Sequence, residues 1–184
     1  MNIAYIWAGK KVRLRPVLLS DWDKFHNNDL DSDNARLCDE IHFPRLEEGT
    51  RQWAEHQSAN TYDGDNAFLA IETLDGTLIG SICTIHCNPR SGTFKYGISI
   101  FRDHWRRGYA TDAVTIILRY YFKELRYQKV NAHVYAFNDG SIALQEHLGF
   151  VQEGRIRDMI FTNGKHHDEY IYGLTKIEYE THYG

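Results

Sequence analysis

Apolar and polar residues alternate along positions 12–17 (VRLRPV), a period of two that predicts a short strand. Pro16 cannot donate a ladder hydrogen bond, which places that strand at a sheet edge. Ser20, with Asp23 three residues on, predicts the cap of a first helix, in which Trp22 and Phe25 share a face. Asp and Asn crowd positions 27–36 and compete locally for the backbone, so that stretch reads as a loop. Thr50 then predicts the cap of a helix over 51–59, with Trp53 and His56 on one side.

Two apolar, β-branched runs, 67–73 and 77–86, are joined through Asp75-Gly76 and predict a hairpin. After Pro89 and Gly92, residues 94–100 predict a third strand of the same antiparallel meander. The period then changes: Ala113, Ile116, Ile117, Tyr120, Tyr121 and Leu125 predict a long amphipathic helix ending near Arg126. Residues 129–137 return to a period of two, with Val130, Ala132, Val134 and Ala136 on one face. A helix over 141–147 follows, closed by Gly149. Runs 154–161 and 169–174 flank Asn163-Gly164 as a second hairpin with a somewhat long loop. No internal repeat interrupts this order, which predicts one α/β (α+β) domain over residues 1–184, its mixed, mainly antiparallel sheet covered by helices on both faces.

Composition narrows the function classes. A net charge of -4 disfavours nucleic acid and anionic membrane as partners, so any anion site must be local. No apolar run approaches the ~20 residues that cross a bilayer, and residues 1–8 lack the basic start and length of a signal peptide, so a soluble cytoplasmic protein is expected. Cys38, Cys83 and Cys87 are an odd count, and Cys83 and Cys87 share a predicted strand, pointing the same way without being close enough to bridge easily, so no disulfide is expected. Alternation turns His86 to the opposite face, and no second ligand cluster follows, so no metal site is expected. Neither GxGxxG nor GxxxxGK[ST] occurs, which argues against a nicotinamide or nucleotide enzyme.

The chemistry concentrates at two strand-to-helix crossovers. In FRDHWRRGYATDAV (101–114) a strand ends and the longest helix begins, and free amides plus the helix dipole favour an anion there. Arg106 and Arg107 add charge, and Gly108 allows close backbone approach; the competing reading is a solvated arginine pair beside an ordinary turn. FNDGSIALQEHLGF (137–150) repeats the crossover, so a long ligand could lie between the two.

Together with VRLRPV, KYGISIFRDHWRRGYATDAV and KVNAHVYAFNDGSIALQEHLGFVQEGRIRD, spanning roughly residues 11–175, these segments resemble the GCN5-related N-acetyltransferase (GNAT) superfamily, in its ribosomal-protein N-terminal and small-amine branch. The resemblance implies splayed central strands and acetyl-coenzyme A as co-substrate. It implies that the amides of Trp105, Arg106, Arg107, Gly108, Tyr109 and Ala110 hold the pyrophosphate. The free edge of Ile98, Ser99 and Ile100 would bond the pantetheine, with Asn138 on that arm and Ser141 beside it. A homodimer is implied in the same way. Trp105 and Arg106 depart from the commonest loop residues. Gln145 stands where many relatives place a Tyr that protonates the leaving thiolate, and Lys95 where relatives of this branch often carry Glu.

Acetyl transfer to an amine then requires a neutral amine, a polarised carbonyl and direct attack in a ternary complex. His133 and Tyr135 face away from the apolar side of their strand and suit proton transfer; the competing reading packs both beneath the first helices. The acidic stretch 29–39, with Glu40, Glu47 and Glu48, would gather a positively charged acceptor such as a polyamine, aminoglycoside, amino sugar or basic peptide N-terminus. His166, His167, Asp168 and Glu169 read more simply as a solvated hairpin tip. A non-catalytic acyl-coenzyme A-binding or protein-interaction module is the rival class, motivated by Gln145 and Lys95.

Overall fold

The computed structural model describes residues 5–38, 41–59 and 64–184. Seven strands form one sheet in the order β1-β2-β3-β4-β5-β7-β6, with β1 at an edge as Pro16 requires. The strands are β1 (Val12–Arg15), β2 (Ala67–Thr73), β3 (Leu78–Asn88), β4 (Thr93–Ile100), β5 (Lys129–Tyr135), β6 (Val151–Thr162) and β7 (Lys165–Thr175). Every pairing is antiparallel except β4 with β5. The helices are α1 (Trp22–Asp29), α2 (Ser32–Cys38), α3 (Glu47–Ala59), α4 (Tyr109–Lys123), α5 (Asp139–His147) and α6 (Lys176–Tyr183).

Strand alternation divides the apolar residues between two faces. Leu69 and Ile71 of β2 join Ile82, Phe94 and Val130 in a core beneath α4, α5 and α6. Ala70 and Phe68 turn the other way, to a smaller core with Phe25 of α1 and Ala54 of α3. Phe25 meets Trp53 edge to face at 5.0 Å, and Phe94 stacks on Tyr121 at 4.2 Å, so aromatic pairs fill both layers.

Several local expectations are corrected. Residues 27–36 are not a loop: α1 runs through Asp29 and α2 starts at Ser32. The Asp31 carboxylate accepts the Asn34 amide at 3.1 Å, and buried Asn34 donates to Asn28 Oδ1 at 2.8 Å, so these polar side chains satisfy helix ends instead of displacing helix. Ser20 lies within the 3₁₀ turn Leu19–Asp21, and the Asp21 carboxylate takes the Leu18 amide. Thr50 sits inside α3, buried, with Oγ1 3.1 Å from His26 Nδ1.

Positive φ at His86 and a register shift between Ile85 and Asn88 reverse the alternation of β3. Cys83 consequently faces Gly97, whereas Cys87 lies near Tyr121 on the opposite side of the sheet. The second hairpin has a tight two-residue turn, with Asn163 and Gly164 both at positive φ and strands longer than expected. The closing helix α6, capped by Thr175 and Glu178, has no counterpart in the sequence reading.

Candidate active site

β4 and β5 run side by side only at Thr93, Phe94 and Lys95, opposite Lys129, Val130 and Asn131. Beyond Lys95 the strands part, while β4 keeps its bonds to β3 through Ile98, Ser99 and Ile100. One edge of the Ile98–Ile100 backbone is therefore unpaired with β5, as the splayed arrangement demands. A cavity of about 280 Å³ opens at this fork, lined by Cys38, Lys95, Tyr96, His133, Tyr135, Asn138, Ser141 and Glu169 among others.

His133 and Tyr135 both line that cavity, together with Leu37 and Cys38 of α2. His133 Nδ1 lies 3.1 Å from Glu169 Oε2, a carboxylate buried to 8 % exposure beside an accessible imidazole. Glu169 thus belongs to the cavity floor, separated from the hairpin tip by Asp168, which pairs with Arg155. The sequence reading missed this partnership, although the β5–β7 register sets Tyr135 opposite Glu169 and brings it within reach of His133.

Asn138 is the N-cap of α5, accepting the Ser141 amide at 2.9 Å, and its Nδ2 donates to the Leu37 carbonyl at 2.9 Å. Both ends of the side chain are engaged within the protein. Cys38 donates to Ser99 Oγ at 3.3 Å, so the end of α2 touches both sides of the fork. On the other wall the buried Tyr96 hydroxyl donates to Gln145 Oε1 at 2.7 Å, and burial pushes the phenol's pKa upward. The Gln145 side chain is held by a phenol from β4.

The loop before α4 has the shape of an anion cradle. Arg106 and Gly108 both take positive φ, and no protein acceptor among the described residues meets the amides of Arg106, Arg107, Gly108, Tyr109 or Ala110. The Arg106 and Arg107 side chains are exposed. Trp105 is an anchor: its backbone amide donates to the Arg102 carbonyl at 3.1 Å, its indole donates to the Ile100 carbonyl at 2.6 Å, and the Arg102 guanidinium lies over its ring. Lys11, not singled out by the sequence pattern, donates Nζ to the Arg107 carbonyl at 2.7 Å and adds a cation beside Gly108.

The acidic stretch is less available than its composition suggests. Asp31 bonds Arg102, and Asp33 pairs with Arg36 at 2.8 Å. Desolvation raises the pKa of Asp29. Asp39 and Glu40 lie outside the described residues. Among the described residues no group of three His, Cys, Asp or Glu side chains could hold a metal ion, and no helix is long and apolar enough to cross a membrane.

The Acetyltransferase (GNAT) domain family matches residues 11–151. The chain is 38% identical over 184 residues, 100% of this chain and 100% of the relative, to the SPbeta prophage-derived uncharacterized N-acetyltransferase YokL of Bacillus subtilis (strain 168). It is 26% identical over 158 residues to the spermidine N(1)-acetyltransferase of Vibrio cholerae, covering 86% of this chain and 89% of that one. A putative acetyltransferase from T. thermophilus superposes with a TM-score of 0.78 at 25% identity, over 95% of this chain and 91% of the other. The fork between β4 and β5, the amide cradle before α4 and these matches lead to one assignment: the chain belongs to the GNAT family and is an acetyl-coenzyme A-dependent N-acetyltransferase.

Proposed function

We propose that the protein transfers the acetyl group to a primary amine by direct attack in a ternary complex within the β4–β5 fork. In this reading the pyrophosphate rests on the amides of Arg106 to Ala110, braced by Trp105, with the Arg106, Arg107 and Lys11 side chains around it. The pantetheine runs along Ile98, Ser99 and Ile100. The Asn138 backbone and the Ser141 hydroxyl serve that arm, because the Asn138 side chain is already bonded at both ends. The observation that carries the proposal is the His133–Glu169 pair opening into the cavity. With Nδ1 donating to the carboxylate, Nε2 is the ring nitrogen left to take the ammonium proton. Tyr135, on the same face, is the donor to the departing thiolate.

The acceptors compatible with this chemistry are polyamines, aminoglycosides, amino sugars and peptide N-termini. A spermidine acetyltransferase among the relatives supports the first of these. A putative ribosomal N-acetyltransferase of Bacillus subtilis, 33% identical over 106 residues and 58% of each chain, supports the last.

Thiol release from acetyl-coenzyme A, screened against amines and peptide N-termini, tests this reading. Release above buffer is expected with at least one acceptor. His133→Phe is expected to lower kcat by about 10²-fold or more and to remove one limb of its pH profile, with Glu169→Gln moving the same limb. Activity and pH profile unchanged in both His133→Phe and Tyr135→Phe would remove those residues from the mechanism.

A further inference from the structure

The charges around the fork speak to the acceptor, given the acetyl transfer proposed above. Lys95 lines the cavity, and its ammonium has no ion-pair or hydrogen-bond partner among the described residues. His86 and His133 line the same space, and Glu169, the only carboxylate among its described lining residues, is engaged by His133. Two aspartates of the acidic stretch are also engaged: Asp31 by Arg102, and Asp33 by Arg36, with Arg102 3.7 Å from Asp33. A polycation entering this space would meet the unpaired Lys95 ammonium, with the described lining carboxylate already engaged by His133. An anion would find the reverse.

We infer that the acceptor is an amine carrying an anionic group, which Lys95 binds while the amine faces His133. The strand register makes this possible within one small molecule. Lys95 stands opposite Asn131, and His133 lies two residues further along β5 on the same face. Two strand residues and one strand spacing put the Lys95 and His133 backbones about 8 Å apart. The flexible lysine stem shortens the gap between its ammonium and the imidazole, so an anion a few bonds from the amine spans it. Carboxylate and phosphate share the required chemistry. The same geometry selects against spermidine-like substrates, whose amines are all cationic until one is deprotonated.

The test uses the full chain, acetyl-coenzyme A and thiol release with four acceptors: ethanolamine, spermidine, phosphoethanolamine, and a short peptide with an acidic second residue. The expected result is a kcat/KM at least about tenfold higher for an anionic acceptor than for spermidine, the difference shrinking as salt is added. Whether phosphoethanolamine or the peptide leads identifies the anionic group. Lys95→Glu should reverse the order of anionic and cationic acceptors mainly through KM. Retained heat of acetyl-coenzyme A binding shows that this variant is folded. Faster reaction of spermidine with the wild type, or a ratio unchanged by Lys95→Glu, overturns the inference while leaving acetyl transfer intact. No thiol release with any acceptor removes the catalytic reading and this inference with it.

Discussion

Asp31 sits in the acidic stretch that composition marks as an attractant for cations, yet its two oxygens meet Arg102 Nε and Nη2 at 2.5 and 2.6 Å. These bonds hold its pKa down from 3.8 to about 2, and they tie the start of α2 to the turn after β4. The sign follows from linkage: a depressed carboxylate contributes stability in full above its ordinary pKa, and loses it as pH falls through the folded value. Between about pH 4 and pH 2 the wild-type melting temperature should therefore fall more steeply than that of Asp31→Asn. Solvent screens the pair, so at neutral pH the two proteins should differ little. Parallel thermal melts across that range check it, and identical slopes would show that the pair contributes nothing. At this scale the sequence was readable for residues whose placement follows from position along one element. Gly108, Asn138 and His133 announce themselves by the crossover or alternation around them. Glu169, Lys11 and the Tyr96–Gln145 bond were hidden because each depends on a partner from another element.

Elements whose own periodicity settles their type were legible, including β1 to β5, α4 and α5. Those settled by partners were not. The Asp- and Asn-rich stretch forms two helices because the Asp31 side chain caps α2 and Asn34 of α2 donates to Asn28 of α1. The bulge at His86 reverses the facing of Cys87 without leaving a mark in the hydrophobic pattern. The second hairpin shows the opposite case, where local chemistry fixes an element firmly. Asn163 at φ 51 and Gly164 at φ 71 form a turn that only residues tolerating left-handed backbone can make. A Cβ on Gly164 would meet nothing within 4 Å, so Gly164→Ala tests backbone strain alone. It should cost about 1–2 kcal/mol in denaturant unfolding. An unchanged midpoint would mean that β6 and β7 impose the turn unaided.

Across the whole molecule, the amide cradle before α4 depends on chain about 100 residues away. The Asp112 carboxylate, in the first turn of α4, accepts the amides of Lys10, Lys11 and Val12 at 3.1, 2.7 and 2.9 Å. Gly9 permits this approach, because a Cβ there would come within 2.3 Å of an Asp112 oxygen. The same tie delivers Lys11 Nζ to the Arg107 carbonyl, so edge strand β1 and the loop before α4 are fixed as one piece. Two substitutions divide stability from binding. Asp112→Ala leaves three amides without their acceptor and should cost about 2 kcal/mol, along with weaker acetyl-coenzyme A binding. Lys11→Met keeps the tie but removes the cation, and should weaken the coenzyme about threefold to tenfold, less so at high salt, with the melting temperature nearly unchanged. Calorimetric titration at two ionic strengths, beside thermal melts of both variants, gives the comparison. If Lys11→Met lowers the melting temperature as much as Asp112→Ala does, the lysine is a strut of the fold, and the positive potential at the cradle comes from the α4 amides and the two arginines alone.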